Sequence, residues 1–106
     1  MKEITPTDLK SRIDAGDDIQ LIDVRQPDEH AHANIDGSVL IPMSEVFSRV
    51  DEIDAARDTV VFCRSGVRSA RVIEALERSG FAGSLTNLSG GILAWSRDVD
   101  PSVPQY

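Results

Sequence analysis

Residues 59–62 read Thr-Val-Val-Phe, every one β-branched or aromatic, and a helical pattern begins only a few positions later. An apolar run without alternation is what a parallel strand needs when both of its faces are covered. The helix after it is expected from about Arg68 or Ser69 to Ser79, with Val72, Ile73 and Leu76 as its inward stripe and Gly80 as a left-handed stop. A doubly covered strand running straight into an amphipathic helix is the first part of a βαβ unit, whose right-handed crossover returns the chain to a parallel neighbour. This pairing excludes all-helical and all-antiparallel folds.

The rest of the chain repeats the alternation. Thr5-Pro6 starts a helix, an N-cap followed by proline at the first helical position, and Gly16 ends it. Ile19 to Val24 reads as a buried strand, Pro27 to Ala33 as a loop with a short turn of helix, and Ser38 to Ile41 as a second strand. Ser44 is placed to cap a helix reaching Val50 or Ile53; Leu85 to Leu88 is a further strand; Gly90-Gly91 makes a turn before a last helix, Ile92 to Arg97, with Trp95 in the core. The expected fold is α/β: one domain over residues 1–106, a mostly parallel central sheet of about five strands with helices on both faces, and an extended tail over 97–106. Ligands bind such sheets at the carboxyl ends of the strands, and Cys63 is the first residue past one of those ends.

Composition narrows the function. A net charge of −7 opposes nucleic-acid binding. No apolar run approaches the roughly 20 residues of a membrane span, and MKEITPTDLK lacks the apolar stretch of a secretory signal, so a cytoplasmic location is expected. The single cysteine cannot form an internal disulfide, nor a zinc site with the two histidines, so no metal or cofactor is expected; His30 and His32 are read as an exposed loop pair. Nothing specifies an oligomer, and a monomer is expected. Against this acidic body, Arg64, Arg68 and Arg71 make one local basic spot, suited to a small anion.

A lone cysteine after a strand is most often a small buried hydrophobe. Its setting here argues for more. In the loop Cys63-Arg64-Ser65-Gly66-Val67-Arg68, main-chain N–H groups and the free first turn of the helix can converge on one point, with Gly66 allowing the positive φ that turns amides inward. A thiol there ionises easily. Arg64 and Arg68 would either neutralise an anion before the sulfur or hold the loop in shape. Cysteine phosphatases use a similar strand, loop and helix with an arginine six positions after the cysteine; here that position is Ser69, and Arg68 stands at the fifth. The shorter loop suits one added sulfur atom better than a tetrahedral oxyanion, which leaves phosphatase or arsenate reductase chemistry as the weaker enzyme reading and a non-catalytic binding module as the other alternative.

CRSGVRS resembles the active-site loop of the rhodanese-like sulfurtransferase domains, and LIDVRQPDEH, NIDGSVLIP and LSGGILAW resemble further motifs of that family in the same order. The ending WSRDVDPSVPQY is similar to the rhodanese half of enzymes that adenylate and thiocarboxylate ubiquitin-like sulfur carriers. The resemblance implies a thiosulfate sulfurtransferase-type enzyme. Cys63 would become a persulfide, Arg64, Ser65, Gly66, Val67 and Arg68 would cradle it through their amides, and Asp23, Arg25 and Glu29 would be structural, with Arg25 paired to Glu29. It also implies a small sulfur-containing anion or a persulfide as donor, and a ubiquitin-like sulfur carrier or a cysteine desulfurase as partner. The chain departs from the family pattern at Asn34, Asp36 and His30, positions expected beside the pocket.

Overall fold

The computed structural model describes residues 1–106. Its five strands are β1 (Lys2–Ile4), β2 (Ile19–Asp23), β3 (Val39–Leu40), β4 (Asp58–Phe62) and β5 (Leu85–Leu88), and its four α-helices are α1 (Pro6–Asp14), α2 (Pro27–His32), α3 (Val67–Arg78) and α4 (Gly91–Asp98). Every pairing is parallel, in the order β1-β5-β4-β2-β3, so β4 lies at the centre with β2 and β5 beside it.

The period of two along a strand divides the core between the two faces. Val60 and Phe62 pack with Leu9, Leu21, Leu88, Ile92 and Trp95 on the side of α1 and α4. Val61 and Cys63 pack with Ile22, Val72, Ile73, Leu76 and Leu85 on the side of α3. The thiol is therefore directed by alternation alone to the face that α3 covers.

Local signals set most boundaries. Thr5 Oγ1 accepts from the Asp8 N–H at 3.2 Å and Pro6 opens α1; the helix closes at Asp14, with Gly16 just beyond it at φ 81°. One of the expected elements needs correction, and one element was not expected. Ser44 caps nothing: residues Met43–Glu45 and Phe47–Glu52 form two 3₁₀ pieces, and Arg49 inside the second is non-helical at φ −121° and ψ 18°. Short 3₁₀ pieces suit this connector, which has to deliver Val46 and Ile53 to the core rather than run as a straight helix. The edge strand Lys2–Ile4 is the element that patterning did not show: three residues, two of them exposed, carry no apolar period, and only pairing with β5 makes them a strand.

Candidate active site

The loop after β4 is shaped from behind by α4. The carbonyls of Cys63 and Arg64 accept from the Ile92 and Leu93 N–H groups at 2.9 and 3.2 Å, using the first-turn donors of that helix. This needs a glycine at the contact: a Cβ on Gly91 would lie 2.4 Å from the Arg64 carbonyl oxygen. With its carbonyls tied down on that side, the loop offers its N–H groups to the sulfur.

Gly66, at φ 105°, caps α3 and points its N–H at Cys63 Sγ from 3.1 Å. Ser69, in the first turn of α3, brings its hydroxyl to 3.4 Å from the same sulfur. Cys63 is only 1% exposed. Burial pushes its thiol up, but the Ser69 hydroxyl and the main-chain N–H groups of Ser69, Gly66 and Ser65 outweigh that and hold it below the ordinary thiol range. Of the loop residues expected to face the sulfur, Ser65 and Gly66 do so by their amides, while the Val67 side chain is 58% exposed. The arginine side chains turn elsewhere.

Arg68 forms a two-pronged ion pair with Glu29, at 2.7 and 2.9 Å. Glu29 also accepts the Gln26 N–H at 3.1 Å, closing the first turn of α2, and the Tyr106 hydroxyl at 2.6 Å. The Arg68 pairing, with help from Tyr106 and Gln26 against the cost of burial, brings the Glu29 carboxyl down to about 2. The expected Arg25–Glu29 ion pair is not what forms. Arg25, fully buried, binds the Asp23 carboxylate through Nε at 2.9 Å and Nη2 at 2.7 Å, and reaches Glu29 only at its main-chain oxygen, 3.3 Å away. Two positions apart on one strand end, Asp23 is the nearer anion, and Arg68 arrives from α3 to take the Glu29 carboxylate.

Tyr106 completes this brace. Its hydroxyl accepts from Arg25 at 2.7 Å while donating to Glu29, its ring lies 5.1 Å from the Arg64 guanidinium, and its main-chain oxygen accepts from Arg64 Nε at 2.6 Å. The tail is thus a strap across the loop, with Val103 buried and its carbonyl held by Ser96. His30 also differs from expectation. It lies on α2 and its Nδ1 sits 2.8 Å from Asp23, while His32 meets the edge of Tyr106. Asn34 and Asp36 line a cavity of about 460 Å³ with Ile13, Trp95 and Val103, and none of Cys63 to Ser69 lines it.

Ser69, Asn87 and Tyr106 carry contacts that motif reading did not assign. A signal existed for Ser69: it stands at i−3 and i−4 from Val72 and Ile73, in phase with the buried stripe of α3, and a hydroxyl on an apolar stripe asks for a buried partner. None of comparable strength marks Tyr106, whose contacts span 42 to 81 positions of sequence.

The family model for the rhodanese-like domain matches residues 5–98. Among curated relatives, the chain is 38% identical over 105 residues to a Mycobacterium tuberculosis protein named adenylyltransferase/sulfurtransferase MoeZ, covering 97% of this chain but 26% of that one. It is also 38% identical to a sulfurtransferase of Allochromatium vinosum, over 97% of this chain and 95% of the relative. A rhodanese-like domain protein from Staphylococcus aureus, solved by crystallography, superposes with a TM-score of 0.83 at 34% identity, over 90% of this chain and 91% of that one.

Proposed function

The chain belongs to the rhodanese-like domain family, and from that premise we propose that it is a sulfurtransferase in which Cys63 carries the sulfur as a persulfide. The observation that carries the reading is the Gly66 N–H held 3.1 Å from Sγ at the mouth of α3, reinforced by Ser69 and by the net lowering of the thiol. A nucleophilic sulfur is what these groups favour, because each donates to the ionised form.

With thiosulfate as donor, the Cys63 thiolate attacks the outer sulfur. A new S–S bond forms at Sγ, the donor's S–S bond breaks, and its electron pair leaves with sulfite. The negative charge then rests on the terminal sulfur of the persulfide. A nucleophilic acceptor takes that sulfur, and the returning electron pair restores the thiolate. Splitting the transfer in two gives ping-pong kinetics. With one cysteine in the chain, the acceptor nucleophile comes from a second molecule. We take a ubiquitin-like sulfur carrier as that molecule, in keeping with the similarity to an adenylyltransferase/sulfurtransferase, and a cysteine desulfurase as the persulfide donor, both as the motif resemblance implies.

Mass spectrometry after incubation with thiosulfate tests the reading. The expected result is a gain of one sulfur that is absent in Cys63→Ser. Sulfur uptake surviving in that variant, or turnover of p-nitrophenyl phosphate exceeding that of thiosulfate, would overturn it.

A further inference from the structure

Ser69 has one hydroxyl hydrogen and two acceptors for it. Its Oγ lies 2.6 Å from Asn87 Oδ1 and 3.4 Å from Cys63 Sγ, and all three residues are buried. A single O–H serves one of them at a time. Asn87, on β5, is fixed in orientation. Its Nδ2 donates to the Gly66 carbonyl at 3.1 Å and faces Glu3 Oε1 at 3.4 Å. Turning the amide over would set Oδ1 against both of those acceptors, so Oδ1 stays directed at Ser69.

The charge on Sγ changes during sulfur transfer. As a thiolate, Sγ is an anion and the better acceptor for the Ser69 hydrogen. Once the new S–S bond forms, Sγ is neutral and the charge sits one atom further out. A buried O–H still aimed at Sγ would then lack a good partner, which folded interiors avoid. We propose that Asn87 is a positioning residue that accepts the Ser69 hydrogen whenever Sγ is neutral, so that the thiolate and the persulfide forms of Cys63 are both fully hydrogen-bonded. The proposal rests on the sulfur-transfer reading and gives the second half of its cycle a structural basis. Asn87 acts on the sulfur only through Ser69, and its bond to the Gly66 carbonyl serves to fix the amide.

Asn87→Leu keeps the branching at Cγ and removes Oδ1, so that of the two acceptors now facing the Ser69 hydrogen only Sγ is left. The thiolate gains, so the midpoint of Cys63 alkylation by iodoacetamide against pH shifts downward. Loading from thiosulfate becomes less complete, and unloading to cyanide becomes faster, each by up to about tenfold for one charge-assisted hydrogen bond. A residue that merely kept the loop in place would give the opposite sign, because a loosened Gly66 amide lets the midpoint rise toward the free thiol near about 8.5. A rise, or no change, overturns the proposal. In a Ser69→Ala background the same substitution leaves the midpoint where it is; a persisting shift would also overturn it, by routing the effect through Gly66. Asn87→Ala, with the same sign expected, serves if the leucine variant does not fold. The charged groups nearest the thiol and the amide, Arg68 with its Glu29 partner and Glu3 behind Asn87, stay in place in every variant. Wild-type protein that takes up no sulfur would sink the functional reading instead, while the alkylation midpoints would still decide where the hydroxyl points.

Discussion

Cys63 lies between two polar regions built on different principles. Behind it, the amides of Ser65, Gly66 and Ser69 with the Ser69 hydroxyl form a neutral cradle whose dipoles face the sulfur, and Asn87 accepts from that hydroxyl. Beside it, Asp23, Arg25, Glu29, Arg64, Arg68 and Tyr106 form a charged brace in which each named guanidinium is engaged by a carboxylate or by the tail. Full charges tie α2, the loop and the tail together, while partial charges attend the reacting atom. The division makes physical sense. The main-chain dipoles need no reorganisation when the charge on the sulfur changes and only the Ser69 hydrogen turns, whereas a free guanidinium aimed at Sγ would hold the thiolate so firmly that the attack on a donor would suffer.

Four substitutions test this division, from the largest effect to the smallest. Arg25→Met strikes the brace where it is driest, leaving the fully buried Asp23 carboxylate without its cation, and should cost about 3–5 kcal/mol in urea unfolding. Stability within error of wild type would mean that the brace does not hold the fold. Gly66→Ala strikes the cradle. A Cβ finds no contact closer than 3.6 Å there, so the penalty lies in the φ of 105°, about 1–2 kcal/mol, relieved by rotating the amide off Sγ. Sulfur transfer should then fall about 10²–10³-fold, as when an oxyanion donor is lost, with a far smaller change in unfolding; steady-state rates and a melt measured together check it.

Arg68→Gln breaks the exit of the brace and should lower stability by about 1–2 kcal/mol, while the Cys63 alkylation midpoint moves by less than that of Gly66→Ala. It should also change the acid limb. The Glu29 carboxyl falls from 4.5 unfolded to about 2 folded, so its contribution to stability is present above about 4.5 and is lost as pH drops toward about 2. Denaturation curves collected across that window should flatten in Arg68→Gln. An unchanged pH dependence would show that Glu29 is not held by Arg68. Tyr106→Phe removes one hydroxyl shared by Arg25 and Glu29, and is expected to cost about 0.5–1.5 kcal/mol with thiosulfate turnover nearly unaltered. A large loss of turnover in that variant would place the tail in the chemistry rather than in the brace.

Much of this was legible beforehand where local rules govern. Thr5-Pro6 and Gly16 mark α1, the apolar stripe marks α3, and the run before Cys63 marks β4 with only a residue of error. Misreadings fall where partners are distant. The segment after Ser44 reads as a helix reaching Val50 or Ile53 but is bent by the need to reach two core sites, and Lys2–Ile4 is a strand only because β5 lies beside it. The Gly90-Gly91 pair was read as a turn; its close approach to the Arg64 carbonyl, which shapes the thiol loop, depends on how α4 docks.

The amino-acid order by itself determined that β4 is buried on both faces, that Cys63 stands at its carboxyl end, and that a glycine-bearing loop and a helix start follow it, because these depend on neighbours a few residues apart. Only the packed fold decided that Arg68 meets the Glu29 carboxylate, that Ser69 and Asn87 share one hydrogen behind the sulfur, and that Tyr106 closes over the loop. Such contacts join residues 18 to 81 positions apart, and their choice among competing partners is made by the docking of helices and tail on the sheet, which no local pattern encodes.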